Sequence, residues 1–168
     1  IDFSKKHQTD ASTVSSWINN SKHRKNWVWS LLNDVMLIKQ NKIKPTFAIL
    51  GLTYKENTHS IKNSASIELL EKLSDYTVKV YDPAAPQDLN LKNITRVSKM
   101  EDTLNGADIL IIMTPWDEFK SLPVNEITNR MNGHIIIDPY KILDELALIN
   151  SGFTYNTLGK KIQTNAVY

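Results

Sequence analysis

From residue 24 onward the hydrophobic positions recur with a helical period. Trp27, Leu31, Val35 and Ile38 share one face, and Val28, Leu32 and Met36 widen it, so a helix is expected from Arg24 to Gln40. A shorter helix over Ala11 to Ile18 is expected before it, with Asp10 or Ser12 as its N-cap. Pro45 ends this region and divides a helical segment, residues 1–44, from a body, residues 45–168. The stripe on the long helix is wider than one small domain needs. Part of it is expected to bury against another subunit or a further domain.

Beyond Pro45 the pattern changes to short apolar runs separated by helical spacings. Thr46–Leu50, Val78–Tyr81, Asp108–Met113, Ile135–Asp138 and Phe153–Leu158 read as strands. Ile67–Leu73, Lys99–Asn105 and Val124–Met131 read as helices, the last two stopped by Gly106 and by Asn132-Gly133. Continuous apolar strands alternating with helices predict a mainly parallel sheet covered on both faces, an α/β doubly wound, Rossmann-like domain. Ligands of such sheets sit beyond the carboxyl ends of the strands. The segments to watch are therefore Gly51–Lys55, Tyr81-Asp82-Pro83, Thr114–Asp117 and Asp138–Lys141.

Composition narrows the chemistry. The chain has 168 residues, 41% of them hydrophobic and 23% charged, which is ordinary for a folded domain and excludes the disordered and fibrous classes. It has no cysteine, so a disulfide framework, a zinc–thiolate or iron–sulfur site and a thiol nucleophile are excluded within it. That absence fits a reducing, cytoplasmic setting. The strongest apolar run, Ala107–Met113, is broken by Asp108 and too short to span a bilayer. The polar start is unlike a signal peptide, and its opening on Ile1 suggests a processed or truncated product.

Charge is uneven. Residues 1–44 carry eight Lys/Arg against three Asp/Glu, whereas residues 45–168 carry twelve against fifteen. The basic segment also holds Trp17, Trp27 and Trp29. A basic, aromatic arm can grip nucleic acid, but no nucleic-acid motif accompanies it and the body is acidic, so a helix packing on a partner is preferred.

The turn after the first strand contains Gly51 alone in place of G-x-G-x-x-G, so a complete dinucleotide site is not expected here. Lys55 and Lys62 in that loop either hold a phosphate or carboxylate, or are scattered lysines of a solvated loop. Trp116 either stacks on a base or packs under its loop, and packing is the simpler reading. Asp138 either orients a ligand or caps a turn, and capping is commoner. His7, His23, His59 and His134 lack metal-ligand spacing.

Several of these segments together resemble one family. Ile49-Leu-Gly-Leu-Thr-Tyr-Lys-Glu-Asn-Thr58 running on to Ser64, then Val80-Tyr-Asp-Pro83, then Gly106-Ala-Asp108 with Thr114–Lys120, and finally Gly152-Phe153 through Leu158-Gly-Lys160 are similar, in order, to the C-terminal part of the UDP-glucose/GDP-mannose dehydrogenase family. Asn20, Arg24-Lys25 and Trp27 resemble the start of its central helix, through which family dimers associate. The resemblance implies a UDP-sugar-binding domain of an enzyme that oxidises a sugar C6 alcohol to a carboxylate in two NAD-dependent steps. It further implies that NAD is held mainly by an N-terminal domain, that a catalytic cysteine precedes the central helix, and that the partner is a second copy of the chain.

By position, Tyr54 and Lys55 match the aromatic–lysine pair that contacts the UDP-sugar. Lys62 stands where the family usually has an arginine reaching NAD, and Tyr140 where many members have a substrate-contacting arginine, with Lys141 next to it as a substitute charge. Pro115 replaces a common glutamate. No catalytic residue is expected in this chain, because the thiolate nucleophile is missing. The domain is therefore expected to be inert alone. A different class of function, a stand-alone non-catalytic nucleotide-binding or oligomerisation module, is the alternative.

Overall fold

The computed structural model describes residues 1–38, 44–87 and 93–160. A short helix α1 (Asp2–Lys6) precedes one long helix α2 (Ser12–Ile38). The two helices expected over 11–18 and 24–40 are thus a single one. No glycine or proline lies between Ile18 and Arg24, so nothing there interrupts the turn-to-turn hydrogen bonds. The Gln40 end of the expected helix, and the side chains of Val35, Met36 and Ile38, lie outside the described part of the structure.

The body follows the order β1 (Thr46–Leu50), α3 (Ala65–Lys72), β2 (Thr77–Tyr81), β3 (Ile94–Arg96), β4 (Ile109–Ile112), α4 (Val124–Arg130), β5 (Ile135–Ile137), α5 (Glu145–Asn150) and β6 (Thr154–Asn156). All five strand pairings are parallel, in the order β3-β2-β1-β4-β5-β6. This is the doubly wound, Rossmann-like sheet that the alternation of strands and helices predicts. Residues 100–104, expected to be α-helical, form a 3₁₀ turn instead, and a second 3₁₀ turn spans 117–121. Strand β3 and helix α5 escape the sequence pattern. Each is short, and β3 is half-exposed at the sheet edge, so neither carries a periodic apolar signature.

Alternate strand residues feed two cores. Phe47, Ile49, Val78, Val80, Ile109, Ile111, Ile135 and Ile137 face α2 and α3, where Val28, Leu31, Leu32, Leu69, Leu70 and Leu73 are buried. Ala48, Leu50, Leu110, Ile112 and Ile136 face the opposite layer, built from Leu104, Phe119, Ile127 and Leu148. The second half of α2 is therefore part of the domain's own core. Lys25 reinforces this seam with an ion pair to Glu68 on α3 at 3.1 Å, and Lys72 donates to Asn26 at 3.0 Å. Its first half is not covered: Val14, Trp17 and Ile18 are exposed, Trp17 at 70%. No helix among the described residues is long and apolar enough to cross a membrane.

Candidate functional site

The strand order reverses direction between β1 and β4, and a crevice opens where their outgoing chains part. Its floor depends on Gly51. That residue has φ +98°, and a Cβ there would lie 2.4 Å from the Thr114 backbone nitrogen. Only glycine lets the β1 and β4 exits pass so closely. Thr114 then donates from its hydroxyl to the Thr53 carbonyl at 2.8 Å, and Ser66 donates to the Gly51 carbonyl at 2.8 Å. Ser64 caps α3 by accepting from the Ser66 N–H at 3.1 Å.

Two buried carboxylates hold the loops around the crevice. Asp82, 3% exposed, accepts from the N–H groups of Leu52 (2.6 Å), Thr53 (3.0 Å), Ala84 (2.8 Å) and Ala85 (2.7 Å), from the Thr53 hydroxyl (3.2 Å) and from the Trp116 indole (3.2 Å). Burial alone would raise its pKa, but the four backbone donors outweigh burial and hold it below the ordinary carboxylate value. Asp138, fully buried, accepts from the N–H groups of Tyr140 (3.1 Å), Ile142 (2.8 Å) and Leu143 (2.9 Å), and from the Tyr155 hydroxyl (2.7 Å). Both aspartates are turn-builders. Trp116 accordingly packs beneath its loop and spends its indole N–H on Asp82.

The resulting cleft has a volume of about 400 Å³. One wall is α2, presenting Trp17, Asn20, Ser21, Arg24 and Lys25; the other is built by the strand exits, with Thr53, Tyr54, Met113, Pro139, Tyr140 and Leu158. Among the described residues no acidic side chain lines it. Tyr140 donates its hydroxyl to the Met113 carbonyl at 3.1 Å. Burial pushes its phenol pKa up, although the Arg24 charge pulls the other way. Two cations and three partly exposed aromatic rings around a concave polar surface suit a planar, anionic ligand.

The sequence-expected residues divide between places. Tyr54 and Tyr140 line this cleft together. Lys62 sits in an adjoining hollow of about 480 Å³ with Ser21, Lys25, Tyr54, Ser60 and Asn63, so Tyr54 stands between the two. Lys55 is exposed on the loop outside both. Lys141 points to Glu145 at 3.5 Å, a carboxylate also bound by Lys160 at 2.6 Å. From the sequence, Asn20, Arg24 and Lys25 read as part of an association helix and Trp17 as one aromatic of a basic arm, while Ser21 carries no signal of its own. The signal was available, because residues 17, 20, 21, 24 and 25 repeat at helical spacing. No cluster of three or more His, Asp or Glu that could hold a metal occurs among the described residues.

Residues 48–145 match the model of the UDP-glucose/GDP-mannose dehydrogenase family, UDP binding domain. The chain belongs to this family. It corresponds to the C-terminal part of its members, as the ordered segments from Ile49 to Lys160 indicate. UDP-glucose 6-dehydrogenase of Rickettsia conorii is 32% identical over 163 residues, 93% of this chain. The chain spans only 37% of that relative's length. Among solved structures, UDP-D-ManNAc dehydrogenase from Pyrococcus horikoshii superposes with a TM-score of 0.66 at 27% identity, covering 82% of this chain and 31% of that one. NDP-N-acetyl-D-galactosaminuronic acid dehydrogenase from Methanosarcina mazei gives a TM-score of 0.71 at 16% identity over 87% of this chain and 31% of its own, a likeness of fold.

Proposed function

We propose that this domain is the UDP-sugar-binding wall of an NAD-dependent UDP-sugar 6-dehydrogenase. The reaction is of the UDP-glucose to UDP-glucuronate type, serving polysaccharide-precursor synthesis in the cytoplasm. The observation that carries the reading is the acid-free cleft at the strand exits, with Arg24 and Lys25 facing Tyr54 and Tyr140. Lys25 is already paired with Glu68, whereas Arg24 has no carboxylate within ion-pair distance among the described residues. Arg24 is thus the cation available for a diphosphate, and its guanidinium fork fits phosphate oxygens.

Tyr54 and Tyr140 would flank the sugar. Lys55 would reach it from the loop, and Lys141 would do so once released from Glu145. When bound, NAD supplies the hydride acceptor. The residues here fit it poorly as a complete site, since one glycine replaces the phosphate-cradling fingerprint after β1. Lys62, in the adjoining hollow, would touch the cofactor from this side while another domain holds most of it. The cysteine nucleophile would also come from outside these 168 residues, so the chain alone would be inert. A homodimer through the Trp-rich helix α2 belongs to the same reading.

Calorimetric titration with UDP tests it. Saturable binding that weakens with added salt and falls at least tenfold in Arg24→Ala is expected. Absence of saturation at about 1 mM UDP, a concentration that detects even weak half-site binding, would overturn the assignment. Reduction of NAD by the chain alone with UDP-glucose would overturn its inertness.

A further inference from the structure

We propose that Trp17 is the nucleobase platform of the cleft, and so a specificity-determining residue on α2. This rests on the nucleotide-binding reading above and deepens it. Trp17 is a large apolar side chain left 70% exposed at the rim of a polar, cationic cleft. It packs on neither core cluster. Its indole makes no hydrogen bond and no ring contact among the described residues. Trp29, by contrast, packs against the core and lies under the Lys72 ammonium, 5.6 Å from its ring centroid.

The order of chemistry along the helix supports the assignment. Trp17, Asn20, Ser21, Arg24 and Lys25 occupy positions i, i+3, i+4, i+7 and i+8 and line one cleft. At 1.5 Å per residue, Trp17 and Arg24 are about 10 Å apart along the axis on nearly the same face. A flat ring stands at one end and a guanidinium at the other, with an amide and a hydroxyl between them. A nucleoside diphosphate has the same succession: a flat base, a hydroxyl-bearing ribose, then phosphates. With the phosphates on Arg24, the base falls toward Trp17, and Asn20 and Ser21 lie beside the ribose and the base edge. Indole stacking on a base tolerates any base, while the side-chain amide of Asn20 can discriminate its edge.

The test compares two probes that differ in possessing a base. UDP and inorganic pyrophosphate are titrated into the 168-residue protein and into Trp17→Ala and Trp17→Phe, with circular dichroism and melting as controls and sedimentation run alongside. Because Trp17 is exposed, neither variant should alter the fold. Trp17→Ala should weaken UDP by about tenfold, within a range of roughly 5- to 100-fold. Pyrophosphate affinity should stay unchanged, and Trp17→Phe should recover most of the loss. If wild type binds UDP and Trp17→Ala binds it equally well, the proposal is overturned while the nucleotide reading stands. An equal loss for both probes would assign Trp17 a structural role, and dissociation of a dimer without loss of UDP would assign it to self-association; either overturns the proposal. If wild type binds pyrophosphate but UDP no more tightly, the base is unread and both readings fall.

Discussion

Asp82 gives the most exposed test of how the cleft is built. Replacing it with alanine removes every acceptor for the buried N–H groups of Leu52, Thr53 and Ala85. A buried donor left unpaired costs about 1–3 kcal/mol. Three of them, with partial rescue by water entering the space left by the carboxylate, put Asp82→Ala near 4 kcal/mol. That is a large share of the roughly 5–15 kcal/mol by which a domain is stable. Asp82→Asn separates shape from charge. Its amide oxygen can serve the Leu52, Thr53 and Trp116 side, but its NH₂ must then face the Ala84 and Ala85 donors, so about 2 kcal/mol should be lost.

The pH dependence has a definite sign. Asp82 has a folded pKa below its ordinary value of 3.8. Its ionised form therefore stabilises the fold fully above that ordinary value, and the contribution is lost as pH falls through the folded pKa. Urea denaturation at a series of pH values reads both effects. The gap between wild type and Asp82→Asn should be widest near neutrality and should close in acid. An Asp82→Asn variant within about 0.5 kcal/mol of wild type at neutral pH would refute the claim that two anionic oxygens hold these loops.

Two further outcomes follow from the same geometry. Gly51→Ala combines φ +98° with a Cβ 2.4 Å from the Thr114 nitrogen, so the β1 and β4 exits must separate. A loss of about 2–4 kcal/mol in urea denaturation is expected, together with weaker UDP binding, and a variant as stable as wild type would contradict the crossing described above. Leu32→Ala deletes a fully buried side chain on α2 and should cost about 2–5 kcal/mol in the same assay. A cost below about 1 kcal/mol would mean that α2 is not integral to the core.

The body of the fold was legible because parallel strands buried on both faces must be written as unbroken apolar runs. Ile109–Ile112 and Ile135–Ile137 are buried at every residue. What escaped was structure without periodic burial. The 3₁₀ turn at Met100–Leu104 buries Met100, Thr103 and Leu104, a spacing that also suits one turn of α-helix, so the pattern could not separate the two. Edge strand β3 has no buried residue to mark it. Asp82 and Asp138 stand at strand ends in the sequence pattern, yet their reach across several loops depends on tertiary placement that no local pattern encodes.

The candidate site was half legible for a related reason. Tyr54 and Tyr140 lie at strand exits, where the topology rule directs attention, and both line the cleft. The opposite wall lies on α2, whose apolar stripe at Val28, Leu31 and Leu32 drew notice because hydrophobic periodicity is the stronger signal. The polar periodicity of Asn20, Ser21 and Arg24, with Trp17 at its head, runs along the preceding turns of the same helix. One continuous helix thus does two jobs in sequence. Its second half is anchored in the core by buried leucines, and its first half borders the cleft at the strand exits. Splitting it into two helices, as the sequence pattern suggested, would remove the lever that places Arg24 opposite Tyr140. The continuity between Ile18 and Arg24 is therefore the structural fact on which the cleft depends.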